Sequence, residues 1–248
     1  MIPRRLKEVV RVACGIPQEL MLNGKKAAYN EDGLATIHNC DFMQDERFMK
    51  AYQIGKMTGS WGPYDIYWRA YVACWAATQA ARLEGDFVEC GVNRGGLASV
   101  IMSYVNFQNL HKTFYLLDTF CGLVPEYITD EEKKLGRLPG QYEECYEFVR
   151  KTFSHFSNVQ IIKGTIPDAL TRVTTQQVAY LSIDMNCVIP EIASINYFWD
   201  KLVPGGIVLL DDYAQNIFKP QKEGFDRWSF QRKVPILQLP TGQGIIIR

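Results

Sequence analysis

Residues 85–96 read GDFVECGVNRGG, a short apolar strand at residues 87–90 followed at once by a glycine-rich turn. Beyond the turn, apolar residues recur at helical spacing over residues 97–105. A strand, a glycine turn and an amphipathic helix, in that order, are typical of one half of a βαβ unit. This stretch therefore predicts an α/β fold with a ligand site beside the turn.

The same alternation continues towards the C-terminus. Predicted strands cover residues 113–117, 159–162, 178–183 and 207–210, and predicted helices cover 142–153, 167–173 and 190–202. A further helix over residues 64–83, with Pro63 in its first turn and Gly85 just after its end, precedes the quoted stretch. Alternating strands and helices predict a parallel sheet that is covered by helices on both faces.

The last two predicted strands, residues 234–239 and 245–247, break this pattern. Only PTGQG, residues 240–244, lies fully between the two apolar runs. This connection is too short for a parallel crossover. We therefore expect the two strands to pair as an antiparallel hairpin. We expect a three-layer, Rossmann-like, mostly parallel sheet that ends in this hairpin. It should form a single domain over residues 1–248, with residues 1–63 as a helical and loop extension over the active site.

Composition excludes several classes of protein. Lysine plus arginine equals aspartate plus glutamate at 27 each, so no basic excess is available for nucleic acid or an anionic membrane surface. No apolar run approaches a membrane span and the first residues lack a secretion signal, so we expect a cytoplasmic protein. The seven cysteines form no Cys-x-x-Cys pair, which argues against a disulfide framework and a thiolate zinc site.

Two strand ends indicate a nucleoside. The turn at residues 91–96 has the spacing Gly-x-x-x-Gly-Gly, which favours a smaller ligand such as S-adenosylmethionine over the pyrophosphate of a dinucleotide. Asp118 ends the second strand, where a carboxylate accepts hydrogen bonds from ribose hydroxyls. The alternatives are that the glycines only pack strand against helix, and that Asp118 caps the turn at Cys121 and Gly122.

Three aspartates indicate a cation. Asp184 ends one strand and Asp211 and Asp212 end another, and strands that pair lie about 4.8 Å apart. If the two strands are neighbours, the carboxylates converge and repel one another unless a cation such as Mg²⁺ or Ca²⁺ lies between them. The alternative is that Asp211 and Asp212 cap a loop or helix. The three histidines, at 38, 111 and 155, have no evident partner and are not predicted to be a catalytic base.

The ordered set of motifs resembles the macrocin O-methyltransferase family, a group of class I S-adenosylmethionine-dependent methyltransferases that act on sugar hydroxyls. The matching stretches are residues 85–96, LDTFCGL at 117–123, VRKTF at 149–153, IKG at 162–164, ID at 183–184, LVPGG at 202–206 and LDDY at 210–213.

The resemblance implies a role for each matching position. The turn, with Glu89, Cys90, Gly91, Arg94, Gly95 and Gly96, would hold the methionine part of the cofactor. Asp118 and Thr119 would hold the ribose, and Phe120, Gly164 and Thr165 the adenine. Asp184, Asp211 and Asp212 fall on the family's metal-binding positions, with Asp184 also beside the cofactor. The resemblance further implies a homo-oligomer.

One position departs from the family. Members often carry an aspartate, thought to be the base, two residues after the first metal ligand, and here that residue is Asn186. An amide cannot accept a proton in this role. The hypothesis is a metal-assisted sugar O-methyltransferase with Asp184 and Asn186 at its catalytic centre, and with the loop at residues 124–140 covering a small-molecule acceptor. The alternatives are a non-catalytic partner subunit that binds a nucleoside or metal and, with less support, an NAD-dependent oxidoreductase.

Overall fold

The computed structural model describes residues 20–248, and the chain divides into one compact unit that ends at Asp41 and another over Phe42–Arg248. In the smaller unit, two antiparallel ribbons pair Met21–Leu22 with Lys25–Lys26 and Tyr29–Glu31 with Leu34–Thr36. This part of the predicted extension is thus built from strands and turns. Residues 1–19 of that extension lie outside the described residues, and the single domain over residues 1–248 stays a prediction.

The larger unit is built on a seven-stranded sheet. Its strands are β1 (Asp86–Cys90), β2 (Phe114–Asp118), β3 (Val159–Lys163), β4 (Val178–Ile183), β5 (Leu202–Leu210), β6 (Leu237–Gln238) and β7 (Gly244–Ile247). Their spatial order is β6-β7-β5-β4-β1-β2-β3. The five strands from β5 to β3 in this order run parallel, whereas β7 pairs antiparallel with both β5 and β6. The predicted fold class, including its C-terminal hairpin, is therefore confirmed.

Helices cover both faces of this sheet. They are α1 (Glu46–Lys56), α2 (Tyr67–Ala80), α3 (Gly96–Val105), α4 (Asp130–Lys134), α5 (Tyr146–Phe153), α6 (Val188–Trp199) and α7 (Lys219–Arg232). Apolar side chains of α2, α3 and α5 pack with one set of strand residues, and those of α6 and α7 pack with the other set. Because successive strand residues point to opposite faces, strands buried on both sides are almost wholly apolar, as β4 is.

The strand order brings the predicted site together. β1 lies between β4 and β2, and β4 pairs with β5 in a register that places Ile183 opposite Leu210. Asp184 and Asp211, which follow these two residues, therefore leave neighbouring strands at the same edge. The chain order reverses between β1 and β4, and ligands of open α/β sheets bind at such a reversal.

Three local differences from the sequence prediction matter. Helix α7 was not predicted, because its sequence KPQKEGFDRWSFQR has few apolar residues and no clear helical stripe. Helix α5 begins at Tyr146, so Tyr142 lies in the preceding loop. Strand β6 is shorter than predicted, whereas β7 begins one residue earlier than predicted, at Gly244. Over residues 20–248, no helix has both the length and the apolar character needed to cross a bilayer.

Candidate active site

A cavity of about 530 Å³ lies at the carboxyl ends of β1, β2, β4 and β5, a volume within the range of roughly 300–1,000 Å³ usual for small-molecule sites. It is lined by most of the predicted residues, namely Glu89, Gly91, Gly96, Asp118, Thr119, Phe120, Gly164, Asp184, Asn186, Asp211 and Asp212. The glycine turn and the three aspartates therefore belong to one cavity.

Four predicted residues do not line this cavity. The Cys90 side chain is buried in the apolar core, and the Thr165 hydroxyl donates to Asp168 at 3.4 Å. Arg94 donates to the Thr58 carbonyl at 2.7 Å and lies over the Phe148 ring at 4.3 Å. A methyl group at Gly95 would overlap the Phe153 ring. Arg94 and Gly95 thus support the glycine turn by hydrogen bonding and packing, whereas Cys90 packs in the core and Thr165 bonds within its own loop.

The backbone donors of the glycine turn are largely used within the protein. The amides of Val92 and Asn93 donate to Asp118 at 2.6 and 2.8 Å. The Gly96 amide, at the start of α3, donates to the Ser60 hydroxyl at 2.9 Å. The Gly96 amide is therefore used within the protein. The glycines of the turn allow close packing, because a methyl group at Gly91 would overlap the Asp184 carbonyl and one at Gly96 would overlap the Trp61 side chain. The packing role, which the sequence left open as an alternative, is thus present.

Asp118 joins the turn after β1 to the turn after β2. Oδ2 accepts the two turn amides, and Oδ1 accepts the Phe120 amide at 2.6 Å and the Thr119 hydroxyl at 3.3 Å. Its capping role, one of the two alternatives left open by the sequence, is thus present. The 3.3 Å bond is the longest of the four. A carboxylate has about four acceptor positions, so a ribose hydroxyl would compete first with Thr119.

The three aspartates converge as predicted. One carboxylate oxygen each of Asp184, Asp211 and Asp212 lies within 4.8 Å of the others. Asp211 and Asp212 are buried, and Asp184 is half-buried because it faces the cavity. Carboxylate oxygens at this spacing are the hard ligands that Mg²⁺ and Ca²⁺ prefer. The donor set therefore fits a divalent cation.

Three side chains donate hydrogen bonds to this cluster, and one of them, Arg69, partly neutralises its charge. Arg69 from α2 donates to Asp211 Oδ2 at 2.7 Å, and Gln243 donates to Asp211 Oδ1 at 2.9 Å. Gln215 donates to Asp212 Oδ1 at 2.7 Å. When all groups are ionised, three carboxylates and one guanidinium leave a net charge of minus two.

Asn186 acts as a donor at the centre of the cluster. Its Nδ2 donates to Asp184 Oδ1 at 2.7 Å and to Asp212 Oδ2 at 3.3 Å. Its own Oδ1 accepts a hydrogen bond from the Tyr142 hydroxyl at 2.6 Å. The buried Glu191 fixes the neighbouring backbone by accepting the Met185 amide at 3.1 Å. Asn186 is thus held in one orientation and ties two of the carboxylates together.

The carboxylates of the aspartate cluster raise one another's pKa. Protein atoms surround Asp184 closely, so desolvation, followed by repulsion from Asp211, raises its pKa to about 7 although Arg69 opposes the rise. Burial, then Asp184 and Asp211, raises the pKa of Asp212 well above that of an exposed aspartate. Burial also raises the pKa of Tyr142. These shifts mark a site that stabilises added positive charge.

Glu89 is a fully buried acid at the meeting point of the two ends of the cavity. Its Oε2 has no hydrogen-bond partner among the described residues, and the same holds for the Ser182 hydroxyl, which also lines the cavity. Burial, then the charges of Asp184, Asp211 and Asp118, raises the pKa of Glu89 well above the 4.5 of an exposed glutamate. A cationic or hydrogen-bonding ligand group would satisfy these atoms.

The predicted loop over the acceptor divides into two kinds of residue. Glu126, Asp130 and Glu131 are exposed, whereas Glu132 is buried and accepts the Val188 amide, at the start of α6, at 2.7 Å. Val124, Tyr127 and Arg137 line the cavity. His111 and His155 are exposed and do not line it, and His38 in the smaller unit is exposed.

Sequence reasoning missed several site residues: Arg69, Ser60, Trp61, Arg137, Gln215 and Gln243. A signal existed for Arg69, since it is the only charged residue in α2, an otherwise uncharged helix. A lone cation among apolar residues predicts a buried acidic partner. Gln243 lies 174 residues from Arg69, so the sequence gives no local sign that the two meet at Asp211.

The fold and the site together define a class of protein. A sheet of this strand order, with a C-terminal antiparallel hairpin and a cavity over β1, β2, β4 and β5, is the architecture of the class I methyltransferases.

Comparison with known proteins narrows the class to a family. The macrocin-O-methyltransferase (TylF) family model matches residues 69–236. The chain therefore belongs to this family of O-methyltransferases.

Two relatives have named activities. The 8-demethyl-8-(2,3-dimethoxy-alpha-L-rhamnosyl)-tetracenomycin-C 4'-O-methyltransferase of Streptomyces olivaceus is 28% identical over 152 residues, which are 57% of this chain. The demethyldecarbamoylnovobiocin O-methyltransferase of Streptomyces niveus is 25% identical over 154 residues, 58% of this chain. The match spans 58% of the length of each relative.

Solved structures of O-methyltransferases share the fold. NovP superposes with a TM-score of 0.63 at 20% identity, covering 73% of this chain and 79% of that one. The calicheamicin methyltransferase CalS11 superposes with a TM-score of 0.57 at 18% identity, covering 80% and 91%. The SAH-bound Podospora anserina methyltransferase PaMTH1 superposes with a TM-score of 0.53 at 10% identity, covering 100% and 97%.

Proposed function

We propose that this protein transfers a methyl group from S-adenosylmethionine to a hydroxyl of a sugar or of a sugar-bearing metabolite. The observation that carries the proposal is the continuity of the cavity, which joins the glycine turn and Asp118 at one end to the three aspartates at the other. Family membership supports it, and so do the two relatives, both named as O-methyltransferases and one of them for a rhamnosyl compound.

The cofactor would lie along β1 and β2. The predicted binding residues that line the cavity, from Glu89 to Gly96 and from Asp118 to Phe120, meet there with Gly164. The unpartnered Glu89 carboxylate suits the ammonium group of a methionine moiety, and Asp118 suits a ribose. Binding would supply the sulfonium methyl group, and the chain would exclude water and fix the direction of approach.

The acceptor would lie over the aspartates. Asp184, Asp211 and Asp212 would hold a divalent ion such as Mg²⁺, whose charge would lower the pKa of a hydroxyl bound there. The net charge of minus two matches such an ion. Asn186 is a positioning residue in this proposal, because its amide orients Asp184 and Asp212 and cannot accept a proton.

Isothermal titration tests the cofactor. We expect binding of S-adenosylmethionine with or without Mg²⁺, and no binding of NAD. The reverse pattern would overturn the methyl donor and favour an NAD-dependent oxidoreductase. If S-adenosylmethionine binds equally well with and without Mg²⁺, the proposed methyl donor is still supported. If the enzyme turns over without metal, the proposed metal assistance is overturned.

A second candidate, a non-catalytic partner subunit that binds a nucleoside or metal, is favoured by one observation, the asparagine at 186. The Asp184→Ala variant separates the two. Loss of methyl transfer with S-adenosylmethionine binding retained supports the enzyme. No turnover by the wild-type protein over a broad panel of sugar acceptors supports the partner subunit. The homo-oligomer and the cytoplasmic location stay predictions.

A further inference from the structure

Two cationic side chains line the cavity, and they differ in one respect. Arg69 is paired with Asp211 at 2.7 Å. Arg137 forms no ion pair or side-chain hydrogen bond within residues 20–248, and its buried Nε has no acceptor there. Buried donors are nearly always satisfied, and those of a charged group most of all. Arg137 is therefore the cavity's available positive charge.

The protein holds Arg137 in place without using the N–H groups of its guanidinium. The Arg137 amide donates to the Glu132 carbonyl at 2.9 Å, and its guanidinium lies over the Phe218 ring at 4.1 Å. The Glu132 side chain is anchored in turn to Thr129 and to the Val188 amide. A contact with a ring face uses none of the guanidinium N–H donors, so they stay available for a carboxylate or a phosphate.

Arg137 lies on the acceptor side of the cavity. Its backbone amide is bonded to Glu132, whose side chain accepts the amide of Val188, two residues after Asn186. Its guanidinium lies over the ring of Phe218, which lines the cavity and follows the aspartate pair that ends β5. Arg137 is thus held by segments next to Asn186 and after Asp212, whereas the amides of the glycine turn donate to Asp118 and Ser60.

We propose that Arg137 binds an anionic group, a phosphate or a carboxylate, carried by the acceptor. The substrate would then be a charged sugar derivative, such as a sugar phosphate, a nucleotide sugar or a sugar acid, and a neutral glycoside would bind poorly. This inference rests on the proposed function. It adds a specificity-determining residue to the site, on a segment that sequence reasoning treated only as a cover.

The experiment uses three probes with a similar hexose ring: glucose 1-phosphate, glucuronate and neutral methyl glucoside. Their dissociation constants are measured by ligand-observed NMR on the full chain saturated with S-adenosylhomocysteine, without divalent metal. We expect one or both charged probes to bind about 10- to 100-fold more tightly than the neutral one. The stronger of the two identifies phosphate or carboxylate.

Variants assign the preference to the residue. Arg137→Gln should abolish the preference for charged probes. Arg137→Lys should retain part of this preference, because lysine supplies the charge without the planar pair of donors. Lys134→Gln removes the same charge from the exposed surface of the same segment and should leave it unchanged. Equal affinity for all three probes, a preference that Arg137→Gln retains, or no binding of either charged probe would each overturn the proposal.

Titration with S-adenosylmethionine distinguishes a failure of this inference from a failure of the proposed function. If Arg137 instead held the cofactor's carboxylate, Arg137→Gln would weaken cofactor binding and leave the acceptor preference intact, which overturns the inference alone. If the wild-type protein does not bind S-adenosylmethionine, the proposed function fails.

Discussion

The two ends of the cavity are built in different ways. At the glycine-turn end, the Asp118 carboxylate accepts hydrogen bonds from backbone amides that lie within 26 residues of it in the sequence. A short stretch of chain therefore determines the position of this carboxylate. At the aspartate end, side chains from α2, the loop after β4, the loop after β5 and the last hairpin meet. The difference shows that the first end is fixed by the fold, whereas the chemistry of the second depends on single side chains.

The largest effect should come from the aspartate end. Asp212→Asn removes a charge while keeping the shape, and we expect turnover to fall by about 100-fold or more because the acceptor loses electrostatic support. Affinity for S-adenosylmethionine should change less than about threefold, since the other end is intact. Asp200→Asn, at an exposed position, is the matched control. Equal losses in turnover and cofactor affinity would show that the two ends are not separate.

The glycine-turn end should give the opposite pattern. Asp118→Asn leaves one oxygen to serve the amides of Val92, Asn93 and Phe120. We expect S-adenosylmethionine to bind about 10- to 30-fold more weakly and the free energy of unfolding to fall by about 1–3 kcal/mol. Calorimetry and chemical denaturation measure both. Unchanged cofactor affinity with lowered stability would leave Asp118 with its capping role alone.

Restoring an aspartate at 186 sharpens the contrast. Asn186→Asp replaces two donated hydrogen bonds with a fourth negative charge beside Asp184 and Asp212. Without metal, we expect the free energy of unfolding to fall by about 1–2 kcal/mol through like-charge repulsion. Added Mg²⁺ should stabilise this variant more than the wild-type protein. Identical Mg²⁺ responses in thermal unfolding would argue against a metal between these carboxylates.

The smallest effect concerns Glu89, which lies between the two ends. Folding raises the pKa of Glu89, so the carboxyl ionises less readily in the folded protein than in the unfolded chain. The free energy of unfolding therefore falls as the pH rises above the pKa that Glu89 has in the unfolded chain. Glu89→Gln removes this term. The variant's advantage in free energy of unfolding should grow between pH about 5 and about 8, on the order of 1 kcal/mol. A constant difference across that range would contradict the buried, unpaired carboxylate.

The sequence predicts the residues at strand ends better than it predicts the partners that the fold brings to them. Strand ends are marked locally by apolar runs and by the residue after them, so Asp118, Asp184, Asp211 and Asp212 could be predicted from the sequence. The adjacency of β4 and β5, on which the convergence of the aspartates depends, was only a condition of that prediction and is supplied by the structure. Partners supplied across the fold were not found, because Arg69 is 142 residues from Asp211. Helix α7 was missed because its buried face combines Gln221 and Gly224 with only two large apolar residues, Phe225 and Trp228, so its sequence shows no continuous apolar stripe.

Gly91 links the two ends. It has a φ of +91°, and a methyl group added there would overlap the backbone oxygen of Asp184, the first residue of the aspartate cluster. The carbonyl of the preceding residue, Cys90, accepts the Asp184 amide at 2.9 Å. A single added carbon at position 91 would therefore displace both the turn after β1 and the backbone that carries Asp184. The close contact between the two strand ends thus restricts this position to glycine.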